Sequence, residues 1–242
     1  MALAPAVRRA PGPRTGSGPR IRFQTVVFDL DGTLVDTAPD LAAAVNVALG
    51  TVGRPPLSLP AVRVMIGHGS RALLRKALAA TGDAGAALVD AAYPVLIDHY
   101  TAHICDLSRP YPGVEAALDR LSACGIALSI CTNKPLAPTL ALIAALGWEA
   151  RFASIVGGDT LSVSKPDPAP LQLAIDQSGG GAAAFVGDSI TDTQTAIAAG
   201  LPCIAVSFGF ADRPAAELGA QMVIDHFDDL IPALTRLGRL PS

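Results

Sequence analysis

The chain has 242 residues, of which 50% are hydrophobic and 16% charged, so it can bury a substantial core in one large domain or in a domain with an insertion. Its formal net charge of −3 gives no sign of a nucleic-acid or membrane-surface protein, and we expect neither partner. The four cysteines have no zinc-like spacing and predict free thiols in a reducing compartment, which we take to be the cytoplasm. No apolar stretch is long enough and free enough of turn residues to span a membrane. We expect the protein to be a monomer or a homodimer.

Residues 1–20 differ in composition from the rest of the chain. They are rich in proline, glycine and arginine and contain no acidic residue. A segment of this composition cannot bury a core, so we predict a disordered extension. It also lacks the apolar stretch of a secretory signal.

The first predicted strand ends in two aspartates. The apolar run Val26-Val27-Phe28 is short, β-branched and aromatic, which is typical of a buried strand, and Asp29 and Asp31 follow it. Gly32 then marks a sharp turn. Because carboxylates at the end of a buried strand are costly to desolvate, a compensating cation is expected, and oxygen ligands suit Mg²⁺.

A helical region follows this strand. Thr37 is expected to cap the next helix, with Pro39 and Asp40 in its first turn. Helical patterns then alternate with proline and glycine breaks as far as Arg109, without a convincing strand. We therefore predict a helical insertion.

From Tyr111 onward, strand and helix patterns alternate. The predicted strands are 126–131, 152–156, 182–186, 202–207 and a sixth at 222–224, and the predicted helices are 114–124, 137–146, a helix introduced by 165–168 that runs through 175, and 192–199. Such alternation predicts an α/β fold, a doubly wound parallel sheet with helices on both faces.

Polar clusters follow several of the predicted strands. Asp29 and Asp31 follow the first strand, Thr132 the second and Asp188 the fourth. Ligands of parallel sheets bind at the carboxyl ends of the strands. The sequence therefore predicts one pocket rather than several unrelated loops.

Four segments resemble the motifs of the haloacid dehalogenase superfamily, in the family's order. They are Asp29-Leu30-Asp31-Gly32-Thr33, Thr132-Asn133-Lys134, Lys165-Pro166-Asp167-Pro168, and Gly187-Asp188-Ser189 with Asp192. The helical insertion resembles the mobile cap of that superfamily. The resemblance implies a Rossmann-like core made of residues 21–37 and 110–242, and a cap made of residues 38–109.

The resemblance also implies phosphoryl transfer. Asp29 would be the nucleophile that forms an aspartyl-phosphate, and Asp31 would protonate the leaving alkoxide and then deprotonate the attacking water. True dehalogenases lack the second aspartate, so Asp31 favours a phosphatase or phosphomutase. Mg²⁺ would be held by Asp29, Asp188 and the backbone carbonyl of Asp31.

Further residues of the motifs would bind or support the phosphate. By the same resemblance, Thr132, Asn133 and Lys165 would contact the phosphate oxygens. Asp192 would orient water ligands or hold Lys165, unless it only stabilises the first turn of its helix. Thr33 is expected to support the same site.

The cap sequence bears on the substrate. Val62-Arg63, Ile66-Gly67-His68-Gly69 and Leu73-Leu74 resemble phosphoglycolate phosphatases. Gly67 could let the backbone approach a small substrate, and Arg63, Arg71 or His68 could meet a second anionic group. For Arg71 and Lys76, solvation or pairing inside the cap is the favoured interpretation.

The leading hypothesis is a Mg²⁺-dependent phosphatase that acts on a small phosphomonoester, 2-phosphoglycolate. Sugar or amino-sugar phosphate phosphatases and a β-phosphoglucomutase-like phosphotransferase are the alternatives within enzymes. A catalytically silent binding protein on the same fold is the alternative from another class.

Overall fold

The computed structural model describes residues 21–210 and 213–239. The predicted disordered extension, residues 1–20, lies outside the described residues. No helix in the described ranges is both long and apolar enough to cross a bilayer.

The described residues form eight strands. In chain order these are β1 (Thr25–Phe28), β2 (Val35–Asp36), β3 (Arg109–Pro110), β4 (Ala127–Cys131), β5 (Ser154–Val156), β6 (Ala183–Gly187), β7 (Cys203–Val206) and β8 (Met222–Ile224). Six of them form one parallel sheet in the order β5-β4-β1-β6-β7-β8. This sheet confirms the predicted doubly wound α/β fold, including its sixth strand.

The same residues form nine α-helices. They are α1 (Ala38–Thr51), α2 (Leu59–Arg63), α3 (Ser70–Thr81), α4 (Ala86–Ala102), α5 (Val114–Ala123), α6 (Leu136–Ala145), α7 (Ala169–Gln177), α8 (Ile190–Ala198) and α9 (Leu230–Leu237). Short 3₁₀ turns lie at Ala215–Glu217 and Phe227–Asp229.

Alternation along the central strand gives the sheet two buried faces. Val26 and Phe28 pack into the apolar cluster that contains residues of α5 and α9. Val27, which lies between them, packs into the cluster that contains residues of α7 and α8. Successive side chains of a strand point to opposite faces, so a continuous apolar run is what a sheet covered on both sides requires.

Helices α1 to α4 have an apolar cluster of their own, which extends from Leu41 to Tyr100. We call residues 38–109 the cap. Helix α1 packs against α4, and α4 also contacts α6 of the sheet layer. The boundaries of the cap and the core stay a prediction.

Two chain crossings join the cap to the sheet layer. Strands β2 and β3 pair antiparallel there, with Val35 opposite Pro110 and Asp36 opposite Arg109. The sequence predicted no strand at either place, because two-residue strands carry no periodicity.

Two predictions about helix starts were wrong in detail. Thr37 stands at the N-cap of α1, but its side chain makes no capping bond; its Oγ1 donates instead to Oδ1 of Asp31, 2.7 Å away. Helix α8 begins at Ile190 rather than Asp192, because Ser189 and Asp192 form a capping box that starts the helix earlier.

Candidate active site

Asp29 lies at the carboxyl end of β1, in the middle of the sheet. Its side chain is buried, and its Oδ1 accepts the backbone N–H of Leu30 at 2.7 Å. The ammonium of Lys165 lies 3.0 Å from the same oxygen. Burial raises the pKa of Asp29 to about 6; Lys165 opposes this rise, and the neighbouring carboxylates Asp192 and Asp31 add to it.

Asp188 follows β6, the next strand of the sheet. Its Oδ1 accepts a hydrogen bond from Oγ1 of Thr33 at 3.1 Å, and its Oδ2 accepts the backbone N–H of Phe210 at 2.6 Å. Burial raises the pKa of Asp188 well above its usual range, and Asp192 and Asp29 contribute to the rise. Thr33 therefore orients this carboxylate, which is a supporting position.

Gly32 allows the two aspartate loops to approach each other. Its φ is +85°, and a Cβ at this position would lie 2.4 Å from Oδ2 of Asp188. Only glycine combines this backbone conformation with so close a neighbour.

Lys165 and Asp192 form a buried ion pair beneath Asp29. Nζ of Lys165 lies 2.6 Å from Oδ1 of Asp192, and both side chains are almost fully buried. Burial alone would lower the pKa of Lys165, but Asp192 and Asp29 raise it above its ordinary value. Asp192 both holds Lys165 and caps α8, so two roles that the sequence left as alternatives coexist.

Three buried carboxylates could hold a metal ion. Asp29, Asp188 and Asp192 each place an oxygen within 4.8 Å of the others. Both oxygens of Asp192 are already used, since Oδ1 binds Lys165 and Oδ2 accepts from Ser189 and from the backbone of Asp188. Oxygen donors and the raised pKa values of Asp29 and Asp188 fit a hard divalent cation, which would remove their mutual repulsion.

Asp31, two residues after Asp29, has hydrogen-bond partners of its own. Its Oδ1 accepts from Thr37, and Nζ of Lys134 lies 3.1 and 3.3 Å from its two oxygens. Lys134 also donates to the hydroxyl of Tyr100 on α4 and lies 4.3 Å from the centre of that ring. Burial lowers the pKa of Lys134, and the Asp31 carboxylate opposes this shift.

Thr132 and Asn133 follow β4 at the same edge of the sheet. Oγ1 of Thr132 accepts the backbone N–H of Lys134 at 3.2 Å. The Asn133 amide is engaged with the backbone of Lys165, accepting its N–H at 3.0 Å and donating to its carbonyl at 3.1 Å. Asn133 also donates to the carbonyl of Gly67 at 3.4 Å, so it links the core loops to the cap.

Asp29, Asp31 and the residues that follow β4 face one cleft, whose space counted out to its opening into solvent is about 510 Å³. The described residues that line it are Asp29, Asp31, Leu41, Ile66, Gly67, Gly69, Ser70, Leu73, Ile97, Tyr100, Thr132, Asn133, Lys134, Pro135 and Pro138. The cap wall is thus largely apolar, and Lys134 is the one cation among these lining residues.

Arg63 and His68 are not among the residues that line this cleft. Arg63 pairs with Asp36 at 2.8 Å and lies 5.1 Å from the ring centre of Phe210. His68 lines a neighbouring depression together with Phe210 and residues of α8. Arg71 pairs with Asp90, and Lys76 donates to the carbonyl of Met65 at 3.2 Å, so both interact within the cap.

Lys134 and Tyr100 are among the cleft residues that sequence reasoning missed. Lys134 belongs to a recognised motif and follows a strand end directly, which is a signal that could have assigned it to the pocket. Tyr100 lies in a largely apolar helix that is only weakly amphipathic, and it has no comparable signal. Thr37 was interpreted as a helix cap and instead contacts Asp31.

Comparison with known proteins gives consistent matches. The family model for haloacid dehalogenase-like hydrolases matches residues 26–206. A phosphoglycolate phosphatase of Mesorhizobium japonicum is 46% identical over 208 residues, which cover 85% of this chain and 92% of that protein. One from Caulobacter vibrioides is 42% identical over 225 residues, which cover 90% of this chain and 94% of that protein. The crystal structure of a predicted phosphoglycolate phosphatase from Haemophilus somnus has a TM-score of 0.83 at 31% identity, covering 88% of this chain and 98% of that chain. The similarity therefore extends over both the sheet and the cap.

Proposed function

We propose that this chain, which belongs to the haloacid dehalogenase-like hydrolases, hydrolyses 2-phosphoglycolate to glycolate and phosphate. Its relatives make it a phosphoric monoester hydrolase. The observation that supports the reaction is the cluster of buried carboxylates and one lysine at the carboxyl end of β1. There Asp29 lies 3.0 Å from Lys165 and within 4.8 Å of two further carboxylates. The relatives named phosphoglycolate phosphatase support the choice of substrate.

Asp29 is proposed as the nucleophile. Its Oδ1 is held by the Leu30 N–H and by Lys165, while no hydrogen bond between described residues uses its Oδ2. Oδ2 would form the bond to phosphorus as the bond from phosphorus to the leaving oxygen breaks. Lys165 offsets negative charge on Asp29 and on the incoming phosphate.

Asp31 is proposed as the general acid and base. Its carboxyl lines the same cleft as Asp29 and is held by Thr37 and Lys134. In the first step its proton passes to the leaving alkoxide. In the second step it accepts a proton from the water whose oxygen bonds to phosphorus as the bond to Asp29 breaks.

Mg²⁺ is the proposed cofactor, with the side chains of Asp29 and Asp188 and the backbone carbonyl of Asp31 as its protein ligands. When bound, it supplies positive charge that allows an anionic carboxylate and an anionic phosphate to approach each other. Asp192 holds Lys165, and Thr33 orients Asp188. Neither residue is needed as a direct ligand.

The remaining predicted site residues fall into two groups. Thr132, Lys165 and the backbone N–H of Asn133 would contact the phosphate oxygens at the end of β4, because the Asn133 side chain is already engaged with Lys165 and Gly67. Gly67 would let the cap backbone come close to the substrate. Arg63 and His68 stay predictions, because a contact of either residue with the substrate carboxylate needs a movement of the cap. We propose that the enzyme is cytoplasmic, since its four cysteines, all within the described residues, are not joined in disulfides.

A substrate panel tests this proposal. The purified chain with Mg²⁺ is expected to give its highest kcat/KM with 2-phosphoglycolate, compared with glucose 6-phosphate, glucosamine 6-phosphate and β-glucose 1-phosphate. Conversion of β-glucose 1-phosphate into glucose 6-phosphate would indicate a phosphotransferase instead. A clear preference for a hexose or amino-sugar phosphate would overturn the substrate but not the reaction class.

A pair of variants tests the nucleophile. Asp29→Asn is expected to abolish turnover while the fold stays intact. The matched control is Asp159→Asn, because Asp159 also follows a strand end, and its carboxylate accepts the backbone N–H of Leu136, at 2.7 Å, rather than a donor of the site. The control should retain activity; substantial turnover by Asp29→Asn would exclude Asp29 as the nucleophile.

A further inference from the structure

Lys134 is a buried lysine that binds Asp31, and the proposed reaction gives it no contact with the substrate. Its side chain is only 4% exposed. Its ammonium has three hydrogen-bond donors, and they find both oxygens of Asp31 and the hydroxyl of Tyr100. Because all three donors of the Lys134 ammonium are used, this lysine connects Asp31 to Tyr100 and has no donor left for a ligand.

Tyr100 brings the cap into this link. It lies near the end of α4, is 2% exposed, and lines the cleft beside Asp31 and Lys134. Burial raises its pKa well above the usual value, and Asp31 and Asp40 add to the rise, so the hydroxyl stays protonated at neutral pH. The chain Tyr100–Lys134–Asp31 therefore connects a cap helix to the acid–base group of the core through one ammonium.

The link matters because a carboxylate that transfers protons must have a defined orientation. Thr37 fixes Oδ1 of Asp31 from one side, at 2.7 Å, and Lys134 spans both oxygens from the other. If Lys134 is removed, the Asp31 side chain can rotate about its terminal torsion, which is intrinsically broad. A small displacement of a reacting group is enough to slow a proton transfer.

We propose that Lys134 and Tyr100 are positioning residues for Asp31, so that proton transfer by Asp31 depends on the seating of α4 of the cap over the core. This inference rests on the proposed reaction through Asp29. Neither residue exchanges a proton with the substrate. The proton moves from Asp31 to the leaving oxygen in the first step and from water to Asp31 in the second, and the link only holds the carboxyl in place.

The leaving group provides the decisive test. An alkyl phosphate such as 2-phosphoglycolate needs a proton on its leaving oxygen, whereas 4-nitrophenyl phosphate releases a stable phenolate without one. Lys134→Met is expected to lower kcat for 2-phosphoglycolate by about 100-fold, the lower limit of general acid–base contributions. Tyr100→Phe is expected to lower it by about 10-fold, because Lys134 still binds Asp31 in that variant. In rapid-mixing experiments both variants should release the first equivalent of 4-nitrophenol within about threefold of the wild-type rate. The phosphoenzyme should then accumulate, because its hydrolysis still needs Asp31.

Matched controls separate this effect from a loosened cap. Tyr93→Phe removes a hydroxyl from the same helix, but that hydroxyl contacts Ser70 at 2.9 Å, inside the cap. Lys76→Met removes a cap ammonium that binds the carbonyl of Met65. Both controls should keep the wild-type ratio of alkyl to aryl rates. If Tyr100→Phe and Lys134→Met lower both rates equally, their role is structural and the proposal is wrong.

A double-mutant cycle completes the test. In an Asp31→Asn background, adding Lys134→Met should change the single-turnover rate by less than about twofold, because a residue that acts through Asp31 has nothing left to position. If Lys134→Met instead raises the KM of the Asp31→Asn variant for 2-phosphoglycolate and not for 4-nitrophenyl phosphate, Lys134 contacts the substrate carboxylate. That result would overturn the proposal. If Lys134→Met does not fold, Tyr100→Phe in the same cycle decides the question.

The outcome is separable from that of the proposed function. If the wild-type chain hydrolyses no phosphomonoester with Mg²⁺, or if Asp29→Asn retains turnover, the proposed reaction is wrong. If the wild type is active, Asp29→Asn is inactive, and the ratio of alkyl to aryl rates is unchanged in Lys134→Met and Tyr100→Phe, only the positioning role is wrong.

Discussion

Asp29→Asn should stabilise the metal-free protein while it abolishes turnover. Burial raises the pKa of Asp29 to about 6 from its ordinary value of 3.8, even though Lys165 opposes the rise. A carboxyl whose pKa is raised by folding binds its proton more tightly in the folded chain than in the unfolded chain. Ionisation of Asp29 therefore destabilises the fold at every pH above about 6.

The size of this effect follows from the shift. A rise of about two pKa units corresponds to about 3 kcal/mol, at about 1.4 kcal/mol per unit. Asparagine has nearly the same shape and no charge, so the variant should gain about 3 kcal/mol at pH values well above 6, or about 6–12 °C in Tm for a chain of this size. As the pH falls through 6 towards 3.8, the wild-type carboxyl takes up its proton and the advantage of the variant disappears.

Urea unfolding in a chelator, at about pH 7.5 and at about pH 4.5, measures this difference. Asp176→Asn, at an exposed position of α7, is the control and should change stability by less than about 0.5 kcal/mol. Added Mg²⁺ should stabilise the wild type more than Asp29→Asn, because the variant has lost a ligand. A variant that is less stable than the wild type at the higher pH, or a gain that does not shrink at the lower pH, would refute the reasoning.

Three further predictions concern groups around the site. Lys165→Met should destabilise the metal-free protein by about 3–5 kcal/mol near pH 8, because it leaves Asp192 without its buried partner; a loss below about 1 kcal/mol in urea unfolding would contradict this. Gly32→Ala should lower the free energy of unfolding by at least about 1–2 kcal/mol, because φ is positive at this position. It should also weaken Mg²⁺ binding measured by calorimetry, because the new Cβ would displace the Asp188 carboxylate. An unchanged Mg²⁺ affinity would count against Asp188 as a ligand. Asp40→Ala should cost about 2–3 kcal/mol in thermal unfolding, because its carboxylate accepts the backbone N–H and the hydroxyl of Ser108 at 2.7 and 2.6 Å; a neutral effect would show that this tie across the cap boundary is dispensable.

Much of the fold can be predicted from the sequence. The run Val26-Val27-Phe28 is apolar on both sides of the strand, and only a sheet covered on both faces accommodates such a run. Strand–helix alternation then requires parallel strands, whose carboxyl ends meet at one edge. The convergence of Asp29, Thr132 and Asp188 was therefore predictable from strand ends alone, and the structure places Asp29 and Asp188 within 4.8 Å of each other in one group.

Local sequence also determined parts of individual helices. Ser189 and Asp192 have the spacing of a capping box, and the structure contains that box. The same spacing does not reveal that Asp192 reaches Lys165, because the two residues are brought together only by the packing of separate loops.

Only the tertiary structure decided which polar groups pair across the cleft. Lys134 meets Tyr100 of the cap, Asn133 meets the backbone of Lys165, and Arg63 turns to Asp36 instead of the cleft. Helical periodicity tells which face of a cap helix is buried, but not the angle and depth at which that face lies over the sheet. These two quantities set every contact between cap and core, and so the strand ends were predictable from the sequence while the partners of Asp31 were not.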